Sequence, residues 1–199
     1  GAAILYAVDN GAHILNLSWG GPERAFLIED AIGYATQQGV IVVAATGNTG
    51  DLPLAYPAAL DGVISVSAVD GSNRIASFSS FGPRIDLAAP GVGIMGTQLD
   101  GTYGPRSGTS FAAPHVAGLA AVLLGRHDNW SAEQVRGALV ATATDLGSPG
   151  WDEIFGAGLI DAAALGEAYA SPAAPPAGVA RRGQPLAASG GPVTVRALP

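Results

Sequence analysis

The chain has 199 residues, 48% hydrophobic and 13% charged, with no cysteine and a formal net charge of −7. This length suits one domain or slightly more, with a sizeable core, and the charged share is about half that of an ordinary soluble domain, so much of the chain is interior. The acid excess argues against nucleic-acid and anionic-membrane partners, the lack of cysteine excludes disulfides, thiolate metal sites and cysteine catalysis, and no run of 18 apolar residues is present to span a bilayer.

In chain order, residues 2–9 are helix-like and Asn10-Gly11 is a C-terminal stop. The chain opens inside that apparent helix, so a missing signal peptide carries no information. His13 to Ser18 reads as a short strand ended by Gly20-Gly21-Pro22, and Glu23 to Gln38 as a helix with Ile28, Ala31, Ile32 and Ala35 on one face and Gly39 as its cap. The unbroken apolar run Val40 to Ala45 fits a strand covered on both faces, so the three pieces form a parallel β-α-β unit. A turn, Thr46-Gly47-Asn48-Thr49-Gly50, follows at the carboxyl end of that strand, where open parallel sheets place their ligands. Gly62 to Val69 is a third strand, and residues 76–82 and 85–91 are short extended pieces.

Residues 100–109 carry three glycines and a proline and read as a loop. Residues 111–124, mostly Ala, Val and Leu, read as a helix, with Pro114 in or just after its first turn. Ser110 therefore lies at a helix N-terminus, where unpaired N–H groups and the positive dipole end favour developing negative charge. A Ser/Thr cap is the bland explanation for such a serine. A further helix starts at Ser131, with Gln134 completing a capping box and Trp130 placed to staple onto Val135. Residues 156–161 lead into a last short helix, and from Ser171 a Pro/Ala-rich linker and tail runs to residue 199.

Other motifs fail on context. Gly91-Val92-Gly93-Ile94-Met95-Gly96 matches G-x-G-x-x-G, but Pro90 precedes it and no helix follows, which rejects a dinucleotide site. A phosphate loop lacks its lysine. The nucleophile elbow of an α/β-hydrolase requires a strand before the serine and a second glycine where Ala112 stands, and no histidine follows His127 to complete its order.

Gly108-Thr109-Ser110-Phe111-Ala112-Ala113-Pro114-His115-Val116-Ala117-Gly118 resembles the nucleophile motif of the subtilisin-like serine peptidases, with Phe111 where that family usually has Met. Ala44-Ala45-Thr46-Gly47-Asn48 and Gly156-Ala157-Gly158-Leu159-Ile160-Asp161 resemble further segments of the same domain. The resemblance covers about residues 1–170, the carboxyl-terminal half of the catalytic domain, with 171–199 as linker and tail. It implies an α/β fold in three layers, a mostly parallel sheet with helices on both faces, incomplete at its amino-terminal side. It also implies Ser110 as nucleophile and Asn48 as donor to the oxyanion of the tetrahedral intermediate. Ser18-Trp19-Gly20 matches the segment that pairs with the substrate strand and walls the primary pocket. Ala45, Thr46 and Gly47 form the opposite wall, Ala55 stands at the floor where Gly is common, and Thr109 adjoins the nucleophile. No acidic residue is placed in that pocket, which suits a large apolar or aromatic P1 side chain.

The base that activates Ser110 is not evident among the histidines, His13, His115 and His127. His115 is five positions on in the same helix and points away, His127 lies beyond the helix end, and His13 opens a strand. In the family the triad runs Asp, His, Ser, and the Asp-x-Gly and His-Gly-Thr-His motifs are not found in this chain. Two readings follow. One is an endopeptidase whose Asp and His come from a missing amino-terminal half, its natural partner, so that this chain alone is close to inactive. The other is a non-catalytic subtilisin-like relic that binds peptides or has a structural role. The resemblance further implies a polypeptide substrate, no required cofactor, calcium as a structural ion of the full-length domain with Asp86 only a loose match to a weak cation position, and secretion. The strand at His13–Ser18 is expected to be a free edge beside exposed apolar surface.

Overall fold

The computed structural model of the protein describes residues 1–170; the linker and tail expected from Ser171 lie outside them. Helix α1 (Ala2–Asp9) buries Ile4 and Val8, one turn apart, and ends where the Asn10 side-chain amide donates to the Tyr6 carbonyl at 2.8 Å. Strand β1 (Ile14–Leu17) leads through Gly20-Gly21-Pro22 to α2 (Phe26–Gln37), which buries Ala31, Ile32 and Ala35. Strands β2 (Ile41–Ala45) and β3 (Val63–Val69) are buried at every residue, β2 as a continuous apolar run and β3 with Ser65 and Ser67 among its apolar residues. Strand β4 (Leu87–Pro90) completes a parallel sheet in the order β1-β2-β3-β4.

Alternation along the strands divides the core into two. Val42, Ala44 and Leu15 pack with α1 and α2 on one face. Ile41, Val43, Ala45, Val66 and Leu87 pack on the other against α3 (Thr109–Arg126), α4 (Ala132–Ala141) and α5 (Ala162–Ala168). This is the expected three-layer α/β arrangement. Helix α3 crosses all four strands, and its small residues Ala112, Ala113, Val116 and Ala120 are fully buried against them. Among the described residues β1 pairs with β2 alone and so forms one edge of the sheet.

The capping box of α4 is complete, with Gln134 N–H donating to Ser131 Oγ at 3.2 Å and Ser131 N–H to Gln134 Oε1 at 2.8 Å. Two sequence expectations change. The segment read as a loop before Ser110 contains strand β6 (Tyr103–Arg106), paired antiparallel with β5 (Ile94–Thr97). Gly104 and Pro105 are tolerated because a two-stranded ribbon has only edges, where a missing N–H need not break a ladder. Residues 76–82, expected to be extended, form no strand; they wrap the turn after β2. The rejection of a dinucleotide loop agrees with β5 following Gly93, where such a site would need a helix.

Candidate active site

Three chain segments converge on the first turn of α3. The strand β4 ends at Pro90, and Gly91 must approach closely: a Cβ there would lie 2.6 Å from the Ala68 methyl and 3.0 Å from the Gly108 carbonyl oxygen. Gly108 N–H donates to the Gly91 carbonyl at 2.8 Å. Gly108 itself has φ 154°, and a Cβ on it would stand 3.0 Å from Ser110 Oγ and 3.5 Å from Asn48 Nδ2. The nucleophile candidate and the Asn48 amide thus flank one small volume kept open by a missing side chain.

Ser110 is the second residue of α3, and its backbone N–H is one of the first-turn groups that a helix leaves without a partner. No acceptor among the described residues takes that N–H or the Ser110 hydroxyl. Thr109, fully buried, turns both of its donors onto Asn48: its N–H and its hydroxyl each lie 2.9 Å from Asn48 Oδ1. A backbone N–H can only donate, so the amide atom facing Thr109 must be the oxygen and Nδ2 must face away, toward the gap beside Ser110. No acceptor among the described residues occupies Nδ2. An orphan helix N–H, a helix dipole and a side-chain amide held in one orientation are together suited to stabilise an anion formed at the Ser110 oxygen.

The turn carrying Asn48 is fixed from outside by a segment whose role the sequence did not reveal. Ser80 N–H donates to the Gly47 carbonyl at 3.0 Å, Ser80 Oγ lies 2.9 Å from Thr49 Oγ1, and Gly50 N–H donates to the Phe78 carbonyl at 2.8 Å. No local signal in the sequence marks this contact, because Ser80 lies about 30 residues from the turn it holds.

The other expected site residues cluster nearby. Ser18 donates its hydroxyl to the Ser110 carbonyl at 2.8 Å. The following chain pairs with residues 55–56, Gly21 and Tyr56 exchanging bonds of 3.1 and 2.8 Å. A Cβ on Gly20 would lie 3.0 Å from the Ala55 methyl, and one on Gly47 would lie 3.2 Å from the same methyl. Ala55 therefore sits between the Ser18–Gly20 segment and the Ala45–Gly47 segment, and its N–H donates to the Thr46 carbonyl at 2.9 Å. Trp19 is 48% exposed beside them. Ala45 and Thr46 are buried, and Thr46 Oγ1 is without a hydrogen-bond partner among the described residues.

The histidines are placed elsewhere. His115 is exposed, with Nδ1 2.8 Å from the Phe111 carbonyl oxygen. His127 is buried, stacked on Trp130 at 4.2 Å between ring centroids, with Nε2 3.2 Å from the Tyr169 carbonyl oxygen. His13 precedes the amino end of β1, about 16 Å from Ser18 at the usual rise per residue.

Asp86 is 3% exposed, and both its oxygens are engaged. Oδ1 accepts from the Arg136 guanidinium, with Nε at 3.0 Å, and Oδ2 accepts from Ser65 N–H at 2.8 Å. Burial lowers the Arg136 pKa, but the charge and hydrogen bond of Asp86, aided by Glu133, outweigh it and hold the group above its ordinary value. The Arg136 guanidinium is thus the counter-charge of the buried Asp86 carboxylate. Among the described residues, no three His, Asp or Glu side chains gather as a metal-binding group.

The model of the Subtilase family (Peptidase_S8) matches residues 1–158. The chain is 43% identical over 159 residues to Subtilisin BL of Lederbergia lenta, covering 80% of this chain and 58% of that protein. It is 42% identical over 168 residues to Subtilisin of Bacillus pumilus, covering 82% and 60%. Among solved structures, the prenylagaramide maturation protease PagA superposes with a TM-score of 0.75 at 35% identity, over 83% of this chain and 65% of that one. A lanthipeptide protease superposes with a TM-score of 0.76 at 29% identity, over 84% and 64%. The chain thus spans about three fifths of the length of these relatives. With the matched residues running from α1 through the Asn48 turn and Ser110, the chain belongs to the subtilase family of serine peptidases.

Proposed function

We propose that the chain carries the nucleophile half of a serine endopeptidase. The observation that carries this reading is the Asn48 amide, tied at Oδ1 by Thr109 and open at Nδ2 beside Ser110 Oγ. Ser110 Oγ attacks the carbonyl carbon of the scissile peptide bond, and Asn48 Nδ2 with the Ser110 N–H donates to the oxygen that becomes negative. Collapse breaks the C–N bond, the amine leaves with the proton taken from the serine, and water then hydrolyses the ester on Ser110. The proton is carried by a histidine oriented by an aspartate, both supplied by polypeptide outside these 199 residues. His13, His115 and His127 are held in other contacts or at a distance, so the chain alone turns over close to nothing. The substrate is a polypeptide laid along Ser18-Trp19-Gly20. Its P1 side chain, large and apolar, enters between that segment and Ala45-Thr46-Gly47, over the Ala55 methyl. We further place the enzyme outside the cell.

The test uses the full-length protein with an internally quenched peptide and an activated peptide ester. Cleavage of the peptide with a burst of alcohol from the ester, and a loss of about 10⁶ in turnover on Ser110→Ala, a size found for the nucleophile of a subtilisin, are expected. A folded full-length protein that binds peptide and cleaves neither substrate would instead favour the non-catalytic reading.

A further inference from the structure

We infer that Ser18 and Asn16 are positioning residues for the nucleophile, acting through the backbone carbonyl of Ser110. The inference rests on the reading of Ser110 as nucleophile. In an α-helix the carbonyl of residue 110 accepts from the N–H of residue 114. Residue 114 is proline, which has no N–H, and it lies inside α3. Ser110 is therefore the residue of the first turns whose carbonyl the helix cannot satisfy. The Ser18 hydroxyl fills that gap, donating to the Ser110 oxygen at 2.8 Å across 92 residues of sequence. Its single proton is committed in that direction because Asn16 Nδ2 donates to Ser18 Oγ, also at 2.8 Å.

The strand geometry makes the arrangement specific. Ile14, Asn16 and Ser18 alternate with the buried Leu15 and Leu17, so they share the sheet face on which α3 lies. Asn16 is exposed on this edge strand, and its side-chain amide is turned onto Ser18 Oγ. Proline at 114 and a hydroxyl at 18 thus form one device. The helix gives up a bond of its own, and the edge strand that borders the proposed substrate groove takes hold of the nucleophile's peptide unit. That contact sets the Ser110 Oγ in register with a substrate strand lying on residues 18–20. Its loss lets the first turn shift, which lowers the rate of the chemical step without weakening substrate binding.

The experiment is a double-mutant cycle in the full-length protein, with kcat and KM measured separately. Ser18→Ala is expected to lower kcat about tenfold or more, the effect of orphaning a partly buried carbonyl, with KM held within about twofold; Ser18→Thr, which keeps the hydroxyl, recovers most of the loss. Asn16→Ala lowers kcat by a smaller factor. In a Pro114→Ala background residue 114 regains an N–H for the Ser110 carbonyl, so adding Ser18→Ala there is expected to cost less than about twofold, a non-additivity diagnostic of the shared partner. An equal cost of Ser18→Ala in both backgrounds, or no cost in either, overturns the inference. If the unmutated protein is folded but does not hydrolyse peptides, the nucleophile reading fails, and the cycle is then read on the urea midpoint. A drop on Ser18→Ala only with Pro114 present retains the tether, and equal drops overturn it.

Discussion

Two polar clusters flank the parallel strands, Asp86 just before the amino end of β4 and Asn48 past the carboxyl end of β2, and they differ in how much of their hydrogen-bonding capacity the protein consumes. At Asp86, the carboxylate is closed off on both oxygens by Arg136 and Ser65, and nothing of it faces outward. At Asn48, only the oxygen is consumed, by two donors from Thr109, while the nitrogen and the neighbouring Ser110 N–H are held in place without an acceptor among the described residues. A cluster whose groups satisfy one another anchors the fold. One that fixes its groups while leaving donors aimed at a common gap is organised for something that enters the gap.

The largest expected effect lies on the anchoring side. Arg136→Met leaves the buried Asp86 carboxylate without its counter-charge and is expected to lower stability by about 3–5 kcal/mol, measured by urea unfolding of the full-length protein. Turnover per folded molecule should be little altered. Asn48→Ala gives the converse: turnover falls by about 10²–10³ with KM nearly constant, the size known for removing such a donor in a subtilisin, while the unfolding midpoint barely moves. A large stability loss for Asn48→Ala, or a large turnover loss for Arg136→Met in the folded fraction, would erase the distinction.

The smallest effect is a titration that belongs wholly to the fold. Asp161 caps α5, accepting from the Ala163 and Ala164 N–H groups at 2.9 Å each, and the bond from Ala164 heads the causes that hold its carboxyl below the ordinary range. A depressed folded-state pKa means that its contribution is full above about pH 4 and is lost as pH falls through the folded value. Asp161→Asn removes the titration, so the stability gap between the two proteins should narrow as pH is lowered from 7 toward 2. A gap independent of pH contradicts that assignment.

Sequence periodicity located the main architecture because its elements differ in kind. Val40–Ala45 is a continuous apolar run, Gly62–Val69 is an apolar run interrupted only by Ser65 and Ser67, and Ile28, Ala31, Ile32 and Ala35 repeat at helical spacing; all lie where those patterns placed them. The β5–β6 ribbon was hidden by Gly104 and Pro105, residues that mark turns except on an edge. Of the site, the sequence marked Ser110, Asn48, Thr109 and the groove segments through their resemblance to a known motif, and the fold brings these residues together. Ser80, and the link from Asn16 through Ser18 to Ser110, were not legible. Each is a contact between segments distant in sequence, and a lone serine or asparagine carries no local trace of the partner it will meet. Proline at 114 was visible, but the carbonyl it leaves open acquires meaning only when β1 lies against α3.

The central claim is that Ser110 is a hydroxyl activated for attack once the polypeptide outside these residues is present. A fluorophosphonate reacts with such a serine and not with an ordinary one. After labelling the full-length protein and cutting at arginine, the segment from Ser107 to Arg126 should carry one phosphonyl group, located on Ser110 by fragmentation. The Ser110→Ala protein should carry none, and the 199-residue chain alone should label far more slowly. A folded full-length protein left unlabelled at Ser110 would contradict the account.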